Sequence, residues 1–208
     1  MITIIDYDTG NLRSVANAVT SLGYRIQITS NPDDVLKAKA IILPGVGAAA
    51  DTMNQLRALG MEIAIQHFLA ADRPFLGVCL GLQILFTSTE EDGGHQCLGI
   101  IPGRVLRLPV QLKVPHMGWN QVKQTIDHPI FDGIANEANY YFVHSYYVEP
   151  DDKSLVAGET EYGIPICSVL IRGNLVATQF HPEKSGRYGL KLYDNFIKNA
   201  LTAKTSNE

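Results

Sequence analysis

Apolar positions along this chain follow two periods, and the change from one to the other divides it near residue 93. Residues 2–6 begin as a continuous apolar run, end at Asp6, and predict a buried strand. Leu12, Val15, Val19 and Leu22 recur at helical spacing, with Asn11 as the cap before them and Gly23 as the stop after them. Residues 24–29 predict a second strand. Asn31-Pro32-Asp33-Asp34 predicts a helix start, with proline in the first turn and acids near its positive end, running through Leu36. Residues 40–43 predict a third buried strand, and residues 51–71 a helical stretch broken near Gly60. Residues 75–78 predict a fourth strand, followed by a helix begun by Leu82, Ile84, Leu85 and Phe86. Strands alternating with helices imply a parallel sheet covered on both faces.

Beyond Gly93 glycines, prolines and short alternating runs dominate. The runs 105–108, 112–114, 140–148, 155–159, 167–171 and 175–180 predict short strands in a mixed or antiparallel extension. Arg172-Gly173-Asn174 marks a hairpin turn between two of them. A closing helix over 189–201 presents Leu190, Tyr193, Ile197 and Leu201 on one face, and the polar tail 202–208 is expected to fray. No repeat or linker interrupts residues 1–208, so the reading is one α/β domain.

Composition narrows the function classes. A net charge of −4 and a pI near 5.8 argue against a nucleic-acid footprint. Three cysteines with no Cys-x-x-Cys give neither a disulfide framework nor a zinc knuckle, and fit a reducing cytoplasm. No signal peptide is read at Met1, and no apolar run reaches membrane-spanning length.

The densest chemistry lies in Gly77-Val78-Cys79-Leu80-Gly81-Leu82-Gln83. A strand, a cysteine between two glycines and a helix make the cysteine form of a nucleophile elbow. An elbow this sharp brings strand and helix backbones close, and a side chain at either glycine would clash. Cys79 then sits at a helix N-terminus, where backbone N–H groups favour a thiolate, and the Leu80 N–H points where an oxyanion forms. A lone cysteine is more often a small core residue; the glycine bracket is what favours a nucleophile here.

Gly45-Val46-Gly47-Ala48-Ala49-Ala50 matches the dinucleotide pattern G-x-G-x-x-A, but it follows the third strand rather than the first. The better account is a glycine loop beside the elbow, with the N–H groups around Val46 and Gly47 completing an oxyanion hole with Leu80. A plain tight turn is the alternative. Phe180-His181-Pro182-Glu183 follows the last strand. A cysteine-dependent acyl transfer needs a base and an acid to orient it, and His181 and Glu183 supply both. Metal binding by this pair lacks a third ligand at a recognisable spacing. His67, His95, His116, His128 and His144 have no comparable local partner. Pro115-His116-Met117-Gly118-Trp119-Asn120 reads as a loop, with Trp119 either on a partner surface or tucked beneath the loop.

With Cys79, His181 and Glu183 in place, the chain resembles the class I (triad) glutamine amidotransferases. The elbow segment and Phe180-His181-Pro182-Glu183-Lys184-Ser185-Gly186 match that family's two signatures. Asp6 to Val15, Pro44-Gly45-Val46-Gly47, Pro115 to Asn120 and Tyr141-Phe142-Val143-His144-Ser145-Tyr146 further resemble the glutaminase subunits of imidazole glycerol phosphate synthases. The family often has an aromatic residue where this chain has the first of Ala48-Ala49-Ala50.

The resemblance implies a flavodoxin-like three-layer sandwich: a central, mostly parallel mixed sheet with a smaller antiparallel extension in the C-terminal half. It implies glutamine hydrolysis to glutamate and ammonia through a glutamyl thioester on Cys79. His181 would shuttle the proton, Glu183 would orient it, and Gln83, Ser145 and Tyr146 would hold glutamine. Asn11, Met117, Trp119, Asn120, Tyr141 and Lys184 fall at positions resembling the face that docks a (β/α)₈ cyclase subunit in a heterodimer. No metal or organic cofactor is implied. Three alternatives remain at this level: a triad glutaminase of another synthase, a cysteine peptidase-like hydrolase, and a non-catalytic subunit.

Overall fold

Continuous β-branched and aliphatic runs form the strands of the N-terminal half, because a parallel strand is buried on both faces. They are β1 (Ile2–Ile5), β2 (Ile26–Thr29), β3 (Ile41–Leu43) and β4 (Phe75–Val78). The structure, a computed structural model, describes residues 1–8 and 10–202. Thr9 and the end of the expected polar tail, residues 203–208, lie outside the described residues.

The helices between these strands are α1 (Leu12–Ser21), α2 (Pro32–Lys37), α3 (Ala49–Ala58) and α4 (Met61–Ala70). α2 starts where Asn31 caps it, accepting from the Asp33 N–H at 3.0 Å. α1 ends at Gly23 with φ +85°, and α3 and α4 are parted by Gly60 at φ +70°. Both are left-handed positions that glycine adopts without a Cβ penalty. α5 (Leu80–Gln83) follows Cys79.

The later strands are β5 (Phe86–Thr89), β6 (His95–Gln96), β7 (Ile101–Arg107), β8 (His116–Gln124), β9 (Ala138–His144) and β10 (Tyr146–Pro150), followed by β11 (Val156–Glu161), β12 (Pro165–Arg172) and β13 (Leu175–Thr178). α6 (Gly186–Thr202) closes the described chain. Among the described residues one sheet holds nine strands in the order β2-β1-β3-β4-β13-β12-β11-β8-β9. It is parallel from β2 through β13 and antiparallel beyond. A second sheet, β10-β7-β5-β6, is mostly antiparallel with β5 and β7 parallel.

Period-2 alternation builds the layers. Ile5, Ile41, Leu43 and Phe75 pack with Met53, Leu56, Phe68 and the small sheet's Phe86, Ile101 and Val105. Ile4, Ile42, Leu76 and Val78 pack instead with Val15 and Val19 of α1 and with Tyr193, Phe196 and Ile197 of α6. The large sheet therefore has helices on both faces, with the small sheet sharing one of them. Among the described residues no helix is long and apolar enough to cross a membrane.

Four expectations fail in detail. The helix after Cys79 is one turn, and Phe86, expected within it, begins a strand. A short apolar run does not by itself distinguish the two. Residues 112–114 form no strand. The expected loop 115–120 is largely the start of β8, paired in register with β9. The expected strand 140–148 breaks at Ser145, where the chain leaves the large sheet for the small one.

Candidate active site

The elbow is built by close backbone contact. A Cβ on Gly77 would come within 2.6 Å of the Gly81 carbonyl oxygen, and one on Gly81 would land on the Leu43 carbonyl oxygen. A Cβ on Gly45 would lie 2.8 Å from that of Leu80. The ends of β3 and β4 thus lock against α5. Cys79, at the apex, has φ +55° and ψ −103°, a conformation that costs a non-glycine residue roughly 1–3 kcal/mol. Its neighbours hold it there: the Cys79 N–H donates to the Thr178 carbonyl at 2.7 Å, and its carbonyl accepts from the Leu82 N–H at 2.9 Å. With α5 only four residues long, the dipole expected from the sequence is small, and only the local N–H groups remain.

His181 and Glu183 stand just past β13, the strand beside β4. His181 Nδ1 lies 2.9 Å from Glu183 Oε1, and both side chains are fully buried. The carboxylate only accepts, so Nδ1 carries the hydrogen. Nε2 is buried and is the nitrogen left to Cys79. Burial alone would favour neutral His181. The charge of the nearby Cys79 and the Glu183 carboxylate outweigh it and raise the imidazole pKa. Burial would likewise raise the Glu183 carboxyl. The His181 hydrogen bond and charge, with the Asn11 amide, outweigh it and hold the carboxyl below its ordinary value.

Three groups fix Glu183. Asn11 Nδ2 donates to Oε1 at 3.0 Å, His181 Nδ1 to the same oxygen, and the Tyr193 hydroxyl to Oε2 at 3.3 Å. This corrects one expectation for Asn11: its side chain does not cap α1 but is buried against Glu183.

A cavity of about 450 Å³ opens over these groups. Val46, Gly47, Cys79, Leu80, Gln83, Ser145, Tyr146, His181 and Lys184 all contribute to its wall, so the expected triad nucleophile and base, oxyanion loop and substrate residues meet at one place. Glu91 joins them, unforeseen from sequence. Its Oε2 accepts from the Ala49 N–H at 2.6 Å at the start of α3, while burial pushes its pKa up against that bond. Gln179 was also missed. It is fully buried, its Oε1 takes a hydrogen from Gln83 Nε2 at 3.2 Å, and its Nε2 lies 3.8 Å from Cys79 Sγ. Gln83 commits its other amide hydrogen to the Tyr146 carbonyl at 2.9 Å, so what it can offer a ligand is its oxygen.

The remaining expected residues lie beside the cavity. Met117 is 60% and Trp119 58% exposed, which settles Trp119 as a surface residue. The Trp119 ring meets that of Tyr141 edge-on at 6.1 Å, and Lys184 Nζ lies 5.9 Å from the Tyr141 ring centre. Asn120 turns inward, donating to the Glu161 carbonyl at 3.1 Å. Among the described residues no cluster of three or more His, Cys, Asp or Glu is arranged to hold a metal ion.

Comparison with known proteins agrees with this geometry. The chain is 55% identical to imidazole glycerol phosphate synthase subunit HisH of Dehalococcoides mccartyi over 201 residues, covering 97% of this chain and 98% of that protein. It is 51% identical to the subunit of the same name from Syntrophotalea carbinolica, covering 94% and 98%. A crystal structure described as a glutamine amidotransferase superposes with a TM-score of 0.76 at 17% identity, covering 97% of this chain and 100% of that one, and shares the fold. Residues 3–200 match the model of glutamine amidotransferase class-I, and the chain belongs to that family, as a glutamine amidotransferase enzyme subunit with the flavodoxin-like fold.

Proposed function

We propose that this chain is the glutaminase subunit of an imidazole glycerol phosphate synthase, working as one domain in the cytoplasm. The observation that carries the chemistry is the buried His181–Glu183 pair at 2.9 Å, with His181 and Cys79 together on the wall of one cavity. The partner reading is supported by relatives named as HisH subunits of that synthase.

The steps follow from the placement of groups. Glutamine enters with its side-chain amide at Cys79, and the Glu91 carboxylate on the same wall suits its ammonium group. The Cys79 thiol gives its proton to His181 Nε2 as its sulfur attacks the amide carbon, and the carbonyl oxygen becomes an oxyanion. The Leu80 N–H and those of the Val46–Gly47 loop stabilise it; one such donor is worth roughly 3–4 kcal/mol in a site of this kind. His181, whose proton is held by its raised pKa, gives that proton from Nε2 to the departing ammonia. A glutamyl thioester remains on Cys79. Water attacks it, His181 takes the water proton and passes it to the Cys79 sulfur as the thioester bond breaks, and glutamate leaves with the thiol restored. Glu183 keeps the imidazole in the Nδ1–H tautomer throughout. Ammonia then passes to a (β/α)₈ cyclase docked over Met117, Trp119, Tyr141 and Lys184. There it meets a phosphoribulosyl formimino nucleotide, yielding imidazole glycerol phosphate and an aminoimidazole carboxamide ribotide.

The test is glutamate formation from glutamine, by the chain alone and with the cyclase barrel carrying its nucleotide. Low activity alone and a large rise with the loaded barrel are expected. Cys79→Ala should remove the activity by roughly 10⁴-fold or more. Strong activity alone, or activity surviving in Cys79→Ala, would sink the reading.

A further inference from the structure

His116 and His144 lie outside the triad, yet neither is placed like a surface histidine. They sit opposite each other in the β8–β9 pairing and are 3% and 6% exposed. The His116 ring is stacked against Tyr162 at 3.9 Å and Phe142 at 4.8 Å. Nδ1 of His116 is 2.9 Å from Nε2 of His144, and Nδ1 of His144 is 2.8 Å from the Tyr146 carbonyl oxygen. Nε2 of His116 is 3.3 Å from Asn120 Nδ2. Neither histidine has a comparable local partner in the sequence, because each is the other's partner across 28 residues of chain.

The hydrogens in this row can be placed, since its ends are fixed in kind. A carbonyl oxygen only accepts, so His144 carries its hydrogen on Nδ1. Neutral His144 then presents Nε2 as an acceptor, and His116 has to donate from Nδ1. His116 Nε2 is left accepting. Asn120 agrees: its Oδ1 takes the Gln121 N–H at 2.8 Å, which leaves its NH₂ group facing His116. Burial keeps both rings neutral. It lowers the His116 pKa to about 4. For His144, burial comes first, the Tyr146 carbonyl opposes it, nearby His116 and His181 add to it, and the pKa falls to about 3. Every member of the row is satisfied, and all point one way, from Asn120 to Tyr146.

The last acceptor belongs to the cavity. The Tyr146 carbonyl takes a second hydrogen from Gln83 Nε2 at 2.9 Å, so both of its lone pairs are used. Tyr146 also opens β10, one residue past the break at Ser145 between the two sheets. The His144 hydrogen bond spans that break.

We propose that His144, backed by His116, is a positioning residue for the glutaminase reaction: it fixes the Tyr146 carbonyl and, through it, the Gln83 amide on the wall that receives glutamine. The role rests on the glutaminase reading above, but its first test does not. Long-range ¹H–¹⁵N spectra of the full chain at pH 7 report the histidine tautomers directly. His116 and His144 should both be neutral with the hydrogen on Nδ1. A charged ring, or a hydrogen on Nε2 of either, overturns the proposal without touching the function.

Kinetics with the loaded cyclase partner supply the second test. His144→Phe should raise KM for glutamine about tenfold with a smaller change in kcat. His144→Asn puts a side-chain N–H near the place of Nδ1 and should recover most of that loss. His116→Phe, which keeps the ring stack, should fall between. Equal damage from His144→Phe and His144→Asn would mean a packing role only and would overturn the proposal. Should His144→Phe fail to fold, His144→Asn against His116→Phe decides: the asparagine variant must hold glutamine better. A wild-type complex that releases no glutamate would remove the functional reading and the positioning role together.

Discussion

Single residues set how this protein meets acid. His116 and His144 are neutral in the fold, with pKa values near 4 and 3 against an ordinary 6.5. Below pH 6.5 the unfolded chain binds more protons at these two sites than the folded one. Their contribution to stability is therefore fully present above 6.5 and is lost as pH falls from 6.5 towards 3. Thermal unfolding followed across that window should show a falling midpoint, and His116→Phe should show a shallower fall than the wild-type chain. A parallel pair of curves would mean the imidazole is not held neutral. The Cys79 elbow and the His181–Glu183 pair were legible at this scale because each is local in sequence. Cys79 is bracketed by glycines, and His181 lies two residues from Glu183. The support of the triad was not. Asn11 reaches Glu183 across 172 residues and Gln179 reaches Cys79 across 100. An asparagine before a helix reads as a cap whether or not it caps.

At the scale of elements, the elbow was legible down to its sterics, since glycine at both flanks has one common cause. Gly81→Ala drives a methyl group into the Leu43 carbonyl, which is backbone and cannot turn aside. Overpacking of this kind costs typically 1–3 kcal/mol. Denaturant unfolding of Gly81→Ala should show a loss at or beyond the upper end of that range, with activity falling at least as far. A loss under about 0.5 kcal/mol would mean the strand and turn can separate cheaply. The break between α3 and α4 was also legible, because Gly60 needs its left-handed turn. What failed was the continuation after α5. Ile84, Leu85 and Phe86 suit a helix by hydrophobicity alone, and pairing with Ile101 of β7 in the small sheet captured Phe86 instead. Residues 115–120 misled in the opposite sense: glycine and proline suggested a loop, but pairing with β9 makes most of the segment a strand.

Across the whole molecule, the expected sheet and its extension are present, but the extension is shared between two sheets. No local pattern announces which strand joins which. The exposed Met117 and Trp119, with Tyr141 and Lys184 beside the cavity, give the proposed docking face one large aromatic anchor. Trp119→Ala should weaken binding of the cyclase barrel by about 30-fold, read by titration calorimetry, because buried tryptophan anchors carry a large share of interface energy. An unchanged affinity would move the docking face elsewhere. The crossing at Ser145 has a consequence of another sort. Cys79, Leu80 and the Val46–Gly47 loop follow strands locked together by glycine contacts, whereas Tyr146 opens β10 of the small sheet one residue past β9, and Glu91 follows β5 of that sheet. The groups proposed to act on the amide and two of those proposed to hold it thus reach one cavity from two different sheets that share a core.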